Sequence, residues 1–280
     1  MTRAALAIIT AAAVLCAQEA TAQSRGGRPK RPQPVAVAVA GQTDNTFTSF
    51  RQYGTWLDDA TILTRGEGQV AIGVGYWRMA GGSQISIPTL SAAYGVAPRL
   101  QLAASVPFYR ASFHGLSMRG LDDVHLSAKI VARDAAGGGV GIAVSPLIEV
   151  LSPAWATGGR IEWAIPGHIE FRAGAMRVYG SAGYFSRGAV FTGAGVEWPG
   201  PMLTSMSASL TQSHSLNTGT TSGNRIDAAV SVARSVTGTI AAYGTFGRTV
   251  SSDAGEGTPL AVAAGLVIRF GSPAPISSSQ

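Results

Sequence analysis

The sequence predicts an all-β protein, a transmembrane antiparallel up-and-down β-barrel of about twelve strands. Charged residues make up only 13% of the chain, whereas soluble domains usually carry about 25%. The chain has 36 glycines, and after its first residues no apolar run is long enough for a transmembrane helix. Segments of about ten residues, apolar on alternate positions, recur from Glu67 to Phe270. A barrel explains this combination because its apolar side chains face lipid without forming a helix.

The first 22 residues are typical of a secretory signal peptide. Arg3 precedes an apolar run from Ala4 to Ala17, and cleavage is predicted after Ala22 in an Ala-Thr-Ala site. Cys16, the only cysteine, lies inside this segment. The mature chain is therefore predicted to have no disulfide and no thiolate metal site. Export combined with a barrel pattern predicts a location in the cell outer membrane.

Residues 23–66 are predicted to form a basic, Pro/Gly-rich linker followed by an irregular segment, and residues 271–280 a disordered tail. The net charge of +6 includes four basic residues of the linker, which leaves +2 for the rest. A charge confined to one short tail gives no reason to expect a nucleic-acid partner. The polar stretch Thr43–Arg65 packs either in the barrel mouth or along the periplasmic rim, and the sequence leaves both open.

Residues 67–270 are predicted to be the outer-membrane barrel. Its segments alternate in hydrophobicity and are separated by Gly, Pro, Asn, Asp and Ser clusters. The predicted strands are Gln69–Arg78, Gln84–Tyr94, Leu100–Tyr109, Asp123–Ala132, Val140–Leu151, Arg160–Arg172, Met176–Ser186, Ala189–Trp198, Met202–Ser213, Arg225–Arg234, Thr239–Arg248 and Pro259–Phe270. Short links such as Ala173–Ala175 mostly alternate with longer ones such as Arg110–Asp122. This alternation is typical of short periplasmic turns and longer outer loops.

The segment Leu260–Phe270 resembles the closing strand of an outer-membrane barrel. Its even positions are apolar and its odd positions are small, apart from Val267 and Arg269. We expect it to pair with Gln69–Arg78 and to place Phe270 at the lipid interface. The resemblance implies that the barrel assembly machinery recognises the strand through Phe270. The other expected partners are outer-membrane lipids and a small-molecule solute.

Charged side chains within the predicted strands lie opposite the apolar face. A charge facing lipid at the membrane midplane costs ~2–4 kcal/mol, so these side chains are expected to point into the lumen. The candidate pore-lining residues are His125, Lys129, Glu149, Glu162, His168, Glu170, Arg172, Arg177, Glu197 and Asp227. Many of them can pair with one another, which suits either a pore wall or a structural filling of the lumen.

Aromatic residues lie near the ends of predicted strands. Examples are Tyr94, Tyr109, Trp163 and Tyr184. Such positions are typical of the aromatic girdles that mark the two membrane interfaces.

No motif predicts an enzyme, a cofactor or a metal site. The four histidines lack ligand spacing, and Gly137–Gly141 lacks the Lys-Ser/Thr of a phosphate-binding loop. His214 and Ser215 are the nearest approach to a lipid hydrolase, but adjacent strand residues point to opposite faces, so His214 could not activate Ser215. The pair Asp122-Asp123 is a weak cation signal, and a solvated loop or a lumen contact explains it better.

The middle of the chain is similar to an outer-membrane family described as transporters of the meta-pathway of phenol degradation. The similar residues are the turn Tyr94-Gly95-Val96-Ala97-Pro98-Arg99-Leu100, then Val106-Pro107-Phe108, then Gly120-Leu121-Asp122-Asp123, and a strand containing Lys129. Gly-Leu-Asp-Asp stands where the family has Gly-x-Gly-Asp. The resemblance implies a barrel that passes small molecules, hydrophobic or aromatic compounds among them.

The sequence therefore predicts an outer-membrane channel or passive transporter for small molecules without covalent chemistry. Two alternatives remain open at this point. One is a structural or surface-interaction barrel without an open pore, and the other, less favoured, is an outer-membrane lipid hydrolase.

Overall fold

The described part of the chain is built from β-strands and turns. The computed structural model describes residues 57–79, 81–135, 139–152, 160–186, 188–216, 224–253 and 260–271, so the predicted signal peptide, most of the linker and nearly all of the tail lie outside it. Its strands are β1 (Gly68–Met79), β2 (Gly82–Ala97), β3 (Leu100–Phe113), β4 (Leu116–Leu121), β5 (Val124–Arg133), β6 (Val140–Val144), β7 (Leu147–Val150), β8 (Ile161–Ala173), β9 (Met176–Phe185), β10 (Ala189–Pro199), β11 (Thr204–Ser215), β12 (Arg225–Ser235), β13 (Ile240–Ser252) and β14 (Leu260–Phe270). Within these ranges no helix is long and apolar enough to cross a membrane.

The strands close into one antiparallel barrel. β1 pairs with β14 along its length, from Gly68 opposite Phe270 to Arg78 opposite Leu260. β4 and β5 share one place in the ring because both pair with β3, and β6 and β7 share the place between β5 and β8. The ring therefore has twelve strand positions. This confirms the predicted fold and the predicted pairing of the last strand with the first.

A proline divides one of the predicted strands. The prediction of a continuous strand over Val140–Leu151 is wrong, because β6 ends at Val144 and β7 begins at Leu147. Pro146 lies in the gap, and a residue without an N–H cannot donate to the ladder. The Pro146 carbonyl still accepts a hydrogen bond from the amide of Ala128 at 3.1 Å, so the wall remains joined to β5.

The prediction of a loop at Arg110–Asp122 is also wrong. β3 continues to Phe113, and β4 returns beside it with Leu116 opposite Phe113. These residues form a hairpin that extends the barrel wall. It lies at the end of the barrel where the β7–β8, β11–β12 and β13–β14 connections also lie, which we call the long-loop end. The opposite, short-turn end holds the start of β1 and the end of β14.

The two faces of the wall differ in size and polarity. In β14 the outward Val262, Leu266 and Phe270 are 41–50% exposed, whereas the inward Ala261 and Ala263 are at most 3% exposed. The same contrast recurs around the ring, where outward positions carry Ile, Leu and Val and inward positions carry Ala, Gly, Ser and charged residues. An apolar exterior on a closed barrel is stable in a lipid bilayer, where every backbone group has its partner.

The aromatic residues divide between the two faces. Tyr94, Trp163 and Tyr184 are 39–47% exposed on the outer face, and the Trp163 and Tyr184 rings lie 5.8 Å apart. Tyr109 is only 5% exposed, so its predicted place in an outer girdle is wrong. The residue shares the inward parity of Ala111, and parity decides the face of a strand residue.

Aromatic side chains fill part of the lumen by lying over glycines of the wall. Tyr179 is 2% exposed, and a Cβ on Gly195 would lie 2.5 Å from its ring. The Tyr243 hydroxyl lies over Gly73 and Gly265 in the same manner. Side chains at these three positions would displace the rings, so the glycines set the packing of the barrel interior.

Candidate functional site

All ten predicted pore-lining residues have side chains on the lumen side of the wall. Seven are buried and three are partly buried. The structure brings five of them into one cluster near the short-turn end and leaves the other five nearer the middle or the long-loop end. The cluster contains Lys129, Glu170, Arg172, Arg177 and Glu197. That these residues line a pore remains a prediction.

Of the five residues outside the cluster, His125 and Glu149 pair with each other. Nε2 of His125 lies 2.9 Å from Oε1 of Glu149, and both residues are buried. Glu162 accepts a hydrogen bond from the Ser186 hydroxyl. These contacts tie adjacent strands of the wall together.

Asp227 and His168 also contact neighbouring residues of the wall. Asp227 accepts hydrogen bonds from Arg225 at 2.8 Å and Thr249 at 2.7 Å. His168 lies between two hydroxyls, with Nδ1 2.8 Å from Ser181 Oγ and Nε2 3.0 Å from Ser145 Oγ.

An extended segment that precedes β1 lies inside the lumen. We call residues Leu57–Thr64 the inner segment. The Asp58 amide donates to Ser181 Oγ on β9 at 2.9 Å, and Ser181 Oγ donates back to the Asp58 carbonyl at 2.8 Å. Further along, the Leu63 amide donates to Oε1 of Gln101 on β3 at 2.8 Å. The sequence left two locations open for Thr43–Arg65. The part of this stretch that the inner segment covers lies inside the barrel, and residues 43–56 lie outside the described residues.

The inner segment crosses the lumen from one wall to the other. Leu57 lies against Gly193 on β10, where a Cβ would come within 3.2 Å of the leucine side chain. The Thr64 carbonyl lies against Gly95 on β2 and leaves no room there for a Cβ. β2 and β10 are six positions apart in a ring of twelve, so they stand on opposite sides. The segment therefore obstructs the barrel interior.

Lys129 is held by the inner segment. Its Nζ lies 2.7 Å from Oδ2 of Asp58 and 3.5 Å from Oδ1 of Asp59, and it donates to the Thr61 carbonyl at 3.1 Å. The residue is 4% exposed. Among the described residues, its hydrogen bonds and ion pairs are all with the inner segment, although Lys129 itself belongs to the wall.

Arg177 connects the segment to the wall. Its guanidinium contacts the Asp59 carboxylate and also lies 3.3 Å from Glu170 and 3.1 Å from Glu197. Glu170 in turn accepts hydrogen bonds from Thr61 at 2.7 Å and from Arg172 at 2.8 Å. Arg177 thus has two wall carboxylates in addition to the segment, whereas Lys129 depends on the segment.

The pKa values of the two aspartates of the segment are shifted in opposite directions. Burial raises the pKa of Asp58, but the nearby Lys129 ammonium outweighs this effect and holds the pKa below the usual aspartate range. For Asp59 burial outweighs the attraction of Lys129 and Arg177, and the pKa is raised. Asp58 therefore stays ionised to lower pH than Asp59 does.

The residues considered for hydrolysis do not form a nucleophile and its base. His214 and Ser215 end β11, where successive side chains point to opposite faces, and His214 Nδ1 contacts Oδ1 of Asn224. The two carboxylates that gave only a weak cation signal have protein partners, since Asp122 accepts a hydrogen bond from Gln84 at 2.8 Å and Asp123 accepts one from the Ser152 amide at 2.7 Å. Within the described ranges, no group of three or more His, Cys, Asp or Glu residues could hold a metal ion.

The residues of the inner segment and their hydrogen-bond partners on the wall were not predicted from the sequence. Asp58 and Asp59 precede the first predicted strand, and the segment's partners Ser181 and Gln101 carry no charge, so the segregation of charges on strands did not point to them. One signal was present in the sequence: two adjacent acids stand between Leu57 and Ala60 in a chain that has few charges.

Comparison with known proteins supports the fold. No family model matches the sequence, and no curated protein matches it. Among solved structures, an outer membrane channel from Pseudomonas putida F1 is similar at 14% identity and a TM-score of 0.57, covering 76% of this chain and 98% of that one. The NanC porin is similar at 8% identity and a TM-score of 0.53, and the match covers 72% of this chain and 100% of the porin. The KdgM porin, solved in complex with oligogalacturonate, has 10% identity and a TM-score of 0.52, and the match covers 71% of this chain and 99% of the porin.

These similarities and the apolar exterior define the class of protein. The chain has the fold of an outer-membrane β-barrel of twelve strands. At identities of 8–14% the similarity extends to the fold and no further. The resemblance of Tyr94–Lys129 to the transporters of phenol degradation remains a prediction.

Proposed function

We propose that this protein is an outer-membrane channel for small molecules, with its pore through the barrel lumen. The observation that carries the proposal is the buried ionic cluster around Arg177 on the lumen wall. Replacing buried ion pairs by apolar side chains of similar volume is often neutral or stabilising. A barrel with a merely structural role therefore has no need of such a wall. A pathway for solutes and water does, because charged groups along it set which solutes pass.

The solutes are small organic molecules, aromatic compounds among them. The lumen side of the wall carries Phe185 and Phe191, whose ring centroids lie 5.4 Å apart, and also Tyr109, Tyr179 and Tyr243. Rings of this kind offer stacking surfaces to a planar solute. This supports the solute class that the resemblance to the phenol-degradation transporters implies.

The second candidate function is a structural barrel without an open pore. The inner segment favours it, since residues from Leu57 to Thr64 obstruct the interior. The two candidates differ in whether this segment leaves the lumen. No arrangement of His214 and Ser215 supports a hydrolase, so catalysis is not proposed.

Conductance in planar bilayers separates the two candidates. We expect the full-length protein to show discrete current steps with a low open probability, and the double variant Asp58→Asn/Asp59→Asn to open far more often. Asp253→Asn is the matched control, because Asp253 lies exposed at the long-loop end. If neither the wild type nor the double variant conducts at any voltage, the channel is ruled out and the closed barrel stands.

A further inference from the structure

The cluster at the short-turn end has an unequal distribution of charge between the wall and the inner segment. The wall contributes three cations and two carboxylates, so its net charge is positive. The segment contributes two carboxylates. The wall residues are Lys129, Arg172, Arg177, Glu170 and Glu197, and the segment residues are Asp58 and Asp59. Arg172 pairs with Glu170 and Arg177 pairs with Glu197, so the unmatched positive charge of the wall resides on Lys129.

A buried ammonium requires a counter-charge. Isolated charges in a low-dielectric interior are costly, and removing one partner of a buried pair is strongly destabilising. Lys129 is 4% exposed, and its closest contact is Asp58 at 2.7 Å. When the inner segment leaves, Lys129 faces an open lumen with Arg177 nearby. Two cations directed at one space attract an anion with carboxylate oxygens.

We propose that Lys129 and Arg177 form a binding site for small organic carboxylates. In this structure the chain's own Asp58 and Asp59 occupy the site. A free solute, best a dicarboxylate, takes their place when the inner segment withdraws. The inference rests on the proposed channel function, and it names the solute class that the lumen selects.

The geometry favours two separate carboxylates over one compact, highly charged anion. The Asp58 carboxylate contacts Lys129, while the Asp59 carboxylate reaches both Lys129 and Arg177, so negative charge is spread along the site. Glu170 and Glu197 lie beside Arg177 at 3.3 and 3.1 Å. These wall carboxylates repel a phosphate or sulfate that concentrates its charge beside Arg177. A flexible dicarboxylate can place one group at each cation, as the aspartates do.

Calorimetric titration with succinate tests the site without requiring conductance. The full-length double variant Asp58→Asn/Asp59→Asn is purified in detergent, and its folding is checked by the heat-dependent shift on SDS gels. We expect it to bind succinate at least tenfold more tightly than the wild type, whose site is occupied. Succinamide, the neutral analogue, should not bind. If the double variant does not fold, Asp58→Asn alone serves the same purpose.

A variant of the wall identifies the binding residue. Adding Lys129→Met to the double variant should weaken succinate binding at least thirtyfold, while adding Arg133→Met, an exposed cation on the same strand, should change it less than twofold. Equal succinate affinity in the wild type and the double variant would overturn the site. So would retained binding in the Lys129→Met variant.

The failure of this inference is distinguishable from the failure of the channel function. Conductance of the double variant without succinate binding removes the carboxylate site and leaves the channel. Succinate binding that depends on Lys129, in a protein that never conducts, supports the site and removes the channel. If both hold, succinate added to the bilayer chamber should reduce the single-channel current, and succinamide should not.

Discussion

Asp58→Asn should release the inner segment from the lumen while leaving the barrel intact. The substitution keeps the size of the side chain and removes its charge. Lys129 then loses its closest counter-charge, 2.7 Å away, in a pair whose side chains are 13% and 5% exposed. Asp58 belongs to no strand of the wall, so the hydrogen-bonded ring is unaffected.

The size of the effect follows from the burial of the pair. Breaking a buried ion pair by removing one partner costs roughly 3–5 kcal/mol. Lys129 keeps the Thr61 carbonyl at 3.1 Å and the more distant Asp59, so we take the lower end, ~3 kcal/mol. Each 1.4 kcal/mol changes an equilibrium roughly tenfold, so the docked segment should become about a hundredfold less favoured.

Thiol labelling measures the docking equilibrium directly. Ala60 lies in the segment at 4% exposure, and the chain has no other cysteine once the predicted signal peptide is removed. A cysteine introduced by Ala60→Cys should react slowly with a maleimide while the segment is docked. Adding Asp58→Asn should raise the rate about a hundredfold, and adding Asp253→Asn should not. Rates within threefold of each other in the two double variants would refute the role assigned to the Asp58–Lys129 pair.

The same assay tests the pH dependence of docking. The pKa of Asp58 is lowered in the docked state. Ionised Asp58 therefore stabilises the docked segment fully at any pH above the usual pKa range of aspartate, and this stabilisation is lost only below that range. The pKa of Asp59 is raised, so proton uptake by Asp59 favours the docked state. Acidification from pH 7 to 5 should therefore not release the segment. A faster reaction of the Ala60→Cys thiol at pH 5, corrected for the reactivity of a free thiol, would contradict this.

Two further predictions concern the barrel wall. Gly195→Ala should destabilise the protein by ~1–3 kcal/mol, since its Cβ would lie 2.5 Å from the buried Tyr179 ring, whereas Gly244→Ala, with its nearest atom at 3.9 Å, should not. Urea unfolding in liposomes measures the difference, and equal stabilities of the two glycine variants would show that the Tyr179 ring moves aside at little cost. Leu210→Arg, at an outward position 51% exposed, should cost ~2–4 kcal/mol in the same assay, and Leu216→Arg beyond the strand end should cost ~0–1 kcal/mol. Equal costs would place Leu210 outside the lipid-facing band.

The sequence predicted the strands well because alternation with a period of two is a local property. The predicted strand Arg225–Arg234 ends one residue before β12 ends, and the predicted strand Pro259–Phe270 ends at the last residue of β14. The prediction from the sequence was less accurate where a strand is interrupted or continues into a hairpin. Pro146 interrupts the strand that was predicted to be continuous over Val140–Leu151, and the hairpin at Phe113 was predicted to be a loop.

The parity of each strand also determined which charged residues face inward, since one face of the wall meets lipid. Lys129 and Glu170 were therefore predicted on the lumen side from their neighbours alone. Their partners were not predictable in this way. Lys129 contacts Asp59 across 70 positions of sequence, and Glu170 contacts Thr61 across 109. No local pattern relates residues that are so far apart.

The sequence by itself determined a barrel, the face of each strand and the seam between its first and last strands. The tertiary structure alone decided that residues from Leu57 to Thr64 cross the lumen. The alternation of apolar residues that defines a strand depends only on residues close together in the sequence. A segment without such periodicity is positioned by the side chains of the closed wall that it contacts. Here the buried ammonium of Lys129 on the wall forms ion pairs with the carboxylates of Asp58 and Asp59 on the segment.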